Sequence, residues 1–330
     1  MKRLTVAVAI LGILLGTVLV GYYGFDAVGD ALFSVGWLGF LAIVAYHLAG
    51  MGFLGLCWYL LAPNAAPFRA YAWGRLIRDS GSEVLPLSQL GGFVMGARAA
   101  TLLGLGSAVA IASTIVDVTL EVLGQLGYTG IGLGILAVLR PETPLIRDTA
   151  IGIAVGLVAV MGFIIVQRRG SKLVERLLWY VARSWSQGAV AAVRPIHDEL
   201  AAIYRRRGAL LLATLLHLAS WVASSGEAWI ALHLMGADPG IAAVIVLESL
   251  LYAIRSIAFA VPNAVGVQEG AYVMLGAAFG LTPDVALALS LLKRARDIVI
   301  GVPALLAWQA IEGRRLLAEP EPEPVPVSSE

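Results

Sequence analysis

Long apolar runs dominate the chain, at residues 4–23, 35–61, 104–139, 145–166, 208–235 and 284–311. Each is longer than the roughly 18 residues that mark a helix able to cross a bilayer, so each predicts a full crossing. Two further stretches, 68–102 and 241–280, are apolar but interrupted, by Pro86 with Gly91-Gly92 and by Pro262 with Gly266. Proline removes a backbone donor and kinks a helix. Broken backbone at membrane depth survives only where protein covers it or it lines a cavity. Both stretches therefore read as re-entrant helical hairpins, the discontinuity at which transporters place binding sites. The expected fold is an all-α polytopic membrane protein with six full transmembrane helices and two broken hairpins.

Composition agrees with the pattern. Hydrophobic residues make up 59% and charged residues 14%, against about a quarter charged in soluble domains, and mean hydropathy is +0.85. The 37 glycines suit helices packed closely in lipid. Met1-Lys2-Arg3 before an apolar run resembles a signal peptide, but Gly21-Tyr22-Tyr23 offers no small-x-small cleavage site, so an uncleaved first helix is expected. Cys57 is the lone cysteine, which excludes a disulfide or a cysteine metal site within one chain.

Net charge is only +1, but its placement sets an orientation, because lysine and arginine favour the cytoplasmic side. Lys2-Arg3, the 167–207 connection and Arg314-Arg315 should all be cytoplasmic, with both termini inside and the membrane a bacterial inner membrane. The 167–207 connection alternates arginines with Leu173, Leu177, Leu178 and Trp179. That basic amphipathic pattern should lie on anionic lipid headgroups. One membrane domain is expected over 1–317, and the acidic, Pro-rich 318–330 reads as a disordered tail.

Aligning the chain with itself at an offset of 176 brings Ser80 onto Ser256, Pro86 onto Pro262, Gly104-Leu105 onto Gly280-Leu281 and Glu121 onto Asp297. The units 68–139 and 241–311 therefore read as a repeat. Three predicted crossings separate the two hairpins, an odd number, so the second copy meets the membrane from the opposite side. The result is an inverted repeat.

An ionisable group at the bilayer centre costs roughly 2.5–3.5 kcal/mol on insertion scales and normally faces a partner or a wet interior. The first unit carries Glu83, Arg98, Asp117 and Glu121; the second carries Glu248, Arg255, Glu269, Lys293, Arg294, Arg296 and Asp297. Ser113, Asp117, Glu121 and Gln125 share one helix face by four-residue spacing, as do Lys293 and Asp297. Two readings stand: structural pairing of helices, or a polar cavity for a headgroup or a proton. In the second, Arg98 and Arg255 attract a phosphate or other polar headgroup, helped by a helix N-terminus after Pro262, with Gln268 and Glu269 as acceptors beside it. Asp117, Glu121, Glu269 and Asp297 balance charge or carry protons, and Lys293, Arg294 and Arg296 complete the path. His47, His217 and His233 read as satisfied or interfacial histidines. No P-loop, HExxH, paired CxxC or GxSxG motif occurs, so no cofactor, ATP or catalytic site is expected, and nothing points to nucleic acid.

The Ser82-Glu83-Val84-Leu85-Pro86 break, Gly96-Ala97-Arg98, the Asp117-to-Glu121 face and the run Val261-Pro262-Asn263-Ala264-Val265-Gly266-Val267-Gln268-Glu269-Gly270 resemble the lysylphosphatidylglycerol synthase transmembrane-region (flippase-domain) family over about 4–315. Leu291 to Asp297, Trp308-Gln309 and Glu312 to Arg315 resemble its branch of hopanoid biosynthesis-associated membrane proteins. Many members have glycines where this chain has Asn263-Ala264. The soluble aminoacyl-transferase domain of full-length synthases is not in this sequence, and lipid aminoacylation is not expected of it. The resemblance implies a lipid transporter or flippase with membrane lipid as cargo. The rivals are a proton-coupled solute transporter, a membrane enzyme on a lipid-linked substrate, and a scaffold for lipid-synthesis enzymes. A second copy of the chain or a lipid-synthesis enzyme is left open as partner, with Gly12, Gly16, Gly92 and Gly96 as candidate packing surfaces.

Overall fold

The computed structural model describes residues 25–85, 89–141, 145–169, 188–258 and 261–318. The expected first crossing, Pro86, much of the basic connection and the acidic tail lie outside them. The described residues form eleven α-helices and no strand. They are α1 (Phe25–Ser34), α2 (Gly36–Leu61), α3 (Phe68–Val84), α4 (Gln89–Leu102), α5 (Ser107–Leu139), α6 (Leu145–Arg169), α7 (Gly188–Arg205), α8 (Arg207–Leu234), α9 (Ile241–Ile257), α10 (Val267–Ala277) and α11 (Pro283–Ala318).

Helices α2, α5 and α8 are long and apolar enough to cross a membrane. Their bounds fall within three residues of the runs read from the sequence. Helix α5 starts after a turn at Gly104, whose φ of 100° a side chain would oppose. Helix α11 is also long enough, but Lys293, Arg294, Arg296 and Asp297 interrupt its apolar sequence. Its outward side is nonetheless apolar, with Ile298, Val299, Val302 and Leu306 exposed. Leu38 and Leu41 of α2, Val155 and Val158 of α6, and Leu211 and Leu215 of α8 are exposed as well. A surface of this kind fits lipid rather than water, and the protein is a multi-pass membrane protein.

Both breaks sit where the prolines placed them. Helices α3 and α4 are separated by residues 85–88, and α9 and α10 by a short 3-10 turn, Pro262–Ala264. At 1.5 Å per residue, α3 and α4 are about 25 and 21 Å long, each short of the roughly 30 Å hydrocarbon core. Helices α3 and α4 pack directly on each other, and glycine explains how closely. A Cβ on Gly96 would come within 2.7 Å of the Gly74 carbonyl, and one on Gly92 would overlap Ser82 and the backbone of Arg78. Gly92 and Gly96 are thus spent inside the chain, not on a contact with a second copy.

Two apolar cores lie at opposite ends of the long helices. One gathers Val35 just before α2 and Ile43 within it, Ala228, Ala231 and Leu232 of α8 with Met235 just after it, and buried residues of α9, α10 and the start of α11. The other gathers Trp58 and Leu61 of α2, Ala213 of α8, and buried residues of α3, α4, α7 and the start of α5. Polar side chains of α2, α5 and α8 fall between. His47, for example, is about 17 Å from one end of α2 and about 21 Å from the other.

Candidate functional site

The charged residues between the cores form two networks. In the first, Arg75 and Arg78 of α3 reach α5. Arg75 Nη2 donates to Glu121 Oε1 at 2.7 Å, and its Nε to Asp79 Oδ2 at 2.7 Å. Arg78 Nη1 donates to Asp117 Oδ2 at 2.7 Å, and its Nη2 also meets Glu121. The spacing 75, 78, 79, 82, 83 puts Arg75, Arg78, Asp79, Ser82 and Glu83 along one helical face. Gly92 and Gly96 press the second hairpin limb onto the Arg78 backbone, and the Phe93 ring lies 4.7 Å from its guanidinium. On α8, His217 Nε2 lies 3.1 Å from Asp117 Oδ1. It can do so because Gly124 leaves no room for a Cβ and lets the His217 backbone approach α5. Asp117 and His217 are completely buried.

The second network joins α2, α8 and α11. His47 Nδ1 lies 2.8 Å from Glu227 Oε2, Arg296 Nη1 meets Glu227 Oε1, and Arg296 Nη2 donates to Asp297 at 2.6 Å. Between the breaks, Arg255 Nη2 donates to Glu83 at 2.9 Å, and Asn263 Nδ2 donates to the Glu83 carbonyl. Gln125 of α5 donates to Ser256 Oγ at 2.6 Å and to the Tyr252 carbonyl. A cavity of about 540 Å³ opens between these groups. Arg75, Arg78, Asp79, Glu83 and Glu121 line it from the first hairpin and α5, and Tyr252, Arg255, Arg296 and Asp297 from α9 and α11.

Of the residues singled out from sequence, Glu83, Glu121, Arg255, Arg296 and Asp297 line this cavity, and Asp117 stands behind Arg78. Three others are brought together elsewhere. Glu269 accepts from the Gly266 amide at 2.7 Å, from Ser290 at 3.0 Å and from Arg294 at 2.6 Å, and Gln268 donates to Ser290. That cluster holds the start of α10. Lys293 lies 2.5 Å from Glu248, which also accepts from the Tyr272 hydroxyl at 2.6 Å. Pro262 opens the 3-10 turn. Arg98 is not brought in: its side chain is 43% exposed and pairs with Glu312 at 2.6 Å. His47 and His217 have carboxylate partners and His233 lies 3.0 Å from the Trp229 carbonyl, as the reading of satisfied histidines expects.

Sequence reasoning missed Arg75, Arg78, Asp79 and Glu227 as site residues. Their signal was the polar face of α3 and a carboxylate within the apolar run of α8. The turn at the second break takes positive φ at two residues other than glycine, 49° at Asn263 and 46° at Ala264, a conformation that favours glycine.

No curated protein and no solved structure matches the sequence. The family model for the lysylphosphatidylglycerol synthase TM region matches residues 6–304, a stretch that spans both broken hairpins and every residue lining the cavity. The chain belongs to that family, whose membership ties this multi-pass protein to lipid biosynthesis or flipping.

Proposed function

We propose that the protein moves or delivers a polar-headed lipid, of hopanoid type or a phospholipid, across or within a bacterial inner membrane. The headgroup occupies the central cavity while the apolar portion stays in the bilayer. The lining of the cavity carries this reading. Asp79, Glu83, Glu121, Glu227 and Asp297 face it beside Arg75, Arg78, Arg255 and Arg296, one carboxylate more than guanidiniums. Every one of those arginines already has a carboxylate partner. Such a lining suits a headgroup bearing an ammonium better than a bare phosphate, because an added anion would have to displace a resident carboxylate. Burying an unpaired charge is the costly alternative.

The architecture behind this reading is an inverted repeat. Helix α5 begins at Ser107 and α11 at Pro283, the same offset that aligns the two breaks. Helix α3 starts among residues of one core and α9 among residues of the other, so the two hairpins approach the middle from opposite ends. Rocking of one unit against the other would expose the cavity to the two sides in turn. Both termini are cytoplasmic in this scheme, and the protein acts as a transporter, not as an enzyme.

The test is reconstitution into liposomes holding a fluorescent lipid with an amine-bearing headgroup, with quenching of the outer leaflet by a membrane-impermeant reductant. The wild type should expose inner-leaflet lipid, and Arg78→Gln and Glu227→Gln of unchanged fold should slow this at least about tenfold, the effect of roughly 1.4 kcal/mol. A wild-type rate equal to that of protein-free liposomes would sink the proposal. A proton-coupled solute transporter is the second reading, favoured by the His47–Glu227 and His217–Asp117 pairs, each an imidazole within hydrogen-bond reach of a buried carboxylate.

A further inference from the structure

A second hollow, of about 610 Å³, lies between α2 and α3 on the outside of the bundle. Its volume falls within the roughly 300–1,000 Å³ usual for small-molecule sites. The two helices touch where a Cβ on Gly55 would sit 2.9 Å from the Ala72 backbone. The hollow runs over Gly52, where an added Cβ would meet nothing within 4 Å. Its walls are apolar, with Leu48, Phe68 and Ile311 each 43% exposed, and among the described residues Arg69 is the one charged residue lining it.

Arg69 has no hydrogen-bond or ion-pair partner among the described residues, unlike the arginines of the central cavity. It is the second residue of α3, whose N-terminus has no side-chain cap, so free amide donors and the positive end of the helix dipole add to its charge. Other arginines share this end of the bundle. Arg206 donates to the Leu61 carbonyl at 2.7 Å, Arg98 pairs with Glu312 beside Ile311, and Arg314 is exposed.

We propose that the groove binds one anionic phospholipid from the adjoining leaflet, with its phosphate at Arg69 and an acyl chain laid over Gly52. Charge complementarity selects the occupant. A free anion would leave the apolar walls uncovered, and an uncharged lipid would leave the guanidinium unpaired. Met51 lines both this groove and the central cavity, so on the transport reading the bound lipid stands one side chain away from the headgroup chamber.

Native mass spectrometry of the detergent-solubilised protein, titrated with phosphatidylglycerol or with diacylglycerol, tests the site. Wild type should bind one phosphatidylglycerol more than Gly52→Leu, a substitution whose Cβ meets nothing within 4 Å and whose side chain takes up groove volume. Arg69→Gln should weaken phosphatidylglycerol roughly tenfold, the effect of losing a charge-assisted hydrogen bond, and leave diacylglycerol unchanged. Millimolar inorganic phosphate should not compete. Equal lipid counts in wild type and both variants would overturn the proposal, as would displacement by inorganic phosphate. Glu227→Gln separates this site from the transport reading: it should keep the groove lipid whether or not it loses translocation.

Discussion

Arg255, in the last turn of α9, reaches 2.9 Å from Glu83, in the last turn of α3. One ion pair therefore ties the two helix breaks to each other at the centre of the bundle. Asn263 strengthens the tie by donating to the Glu83 carbonyl. If the pair is a latch between the two halves, removing one partner leaves a charge stranded. Arg255→Gln or Glu83→Gln should each lower stability by roughly 1–3 kcal/mol, toward the low end because both side chains keep some exposure. The double variant should recover more than half of that loss, since two neutral amides can pair. Thermal unfolding of all four proteins in one detergent gives the coupling directly; simple additivity would dissolve the latch.

The turn that follows this pair makes a prediction at two adjacent residues. Ala264 is buried with φ 46°, a left-handed conformation that costs an L-residue roughly 1–2 kcal/mol. Ala264→Gly should release it and stabilise the protein by about 0.5–1 kcal/mol after the added chain entropy of glycine. At Asn263 the same substitution should destabilise, because asparagine tolerates φ 49° and its amide holds Glu83. A rise in Tm for one and a fall for the other is the expected result. A fall for both would place the constraint elsewhere than in the backbone.

Much of this arrangement was legible in the chain. Prolines located the breaks because a missing donor cannot be hidden in lipid, and the 113, 117, 121, 125 spacing identified the inward face of α5. Its partners were not legible. Periodicity tells which face of a helix is polar but not which neighbour faces it, so Arg98 and Arg78 looked alike as cations near the first break. Only packing separates them: glycines at 92 and 96 bury Arg78 against Asp117, while Arg98 points to Glu312 at the end of the bundle. Lys293 and Asp297 share a face by spacing, yet one is held behind the cavity by Glu248 and the other lines it.

Those same glycines can be tested. A methyl at Gly96 would press on the Gly74 carbonyl and the Arg78 side chain, forcing α3 and α4 apart. Gly96→Ala should cost roughly 1–3 kcal/mol by overpacking and weaken translocation by displacing Arg78. Gly52→Ala meets nothing and should change neither, by thermal unfolding and by the liposome assay. Equal tolerance at both positions would mean that the hairpin has room the structure does not give it.

Arg98 and Arg78 provide the sharpest comparison. Both are arginines of the first broken hairpin, and charge alone would assign either to a headgroup. Arg98 forms an exposed pair with Glu312, an interaction worth about 0–1 kcal/mol, whereas Arg78 is buried and bridges Asp117 and Glu121. Removing one partner of a buried pair typically costs roughly 3–5 kcal/mol, and here it would leave Asp117 with His217 at 3.1 Å and the Arg75 guanidinium at 3.6 Å. Arg98→Gln should therefore translocate lipid within about twofold of wild type, and Arg78→Gln should lose at least tenfold, a difference of roughly 1 kcal/mol in barrier between the two limits. Restoring only charge with Arg78→Lys should recover little, because a single ammonium cannot satisfy both carboxylates in the forked geometry. Were Arg98→Gln to abolish translocation with its fold intact, the headgroup path would have to run past the Glu312 end of the bundle instead of through the central cavity.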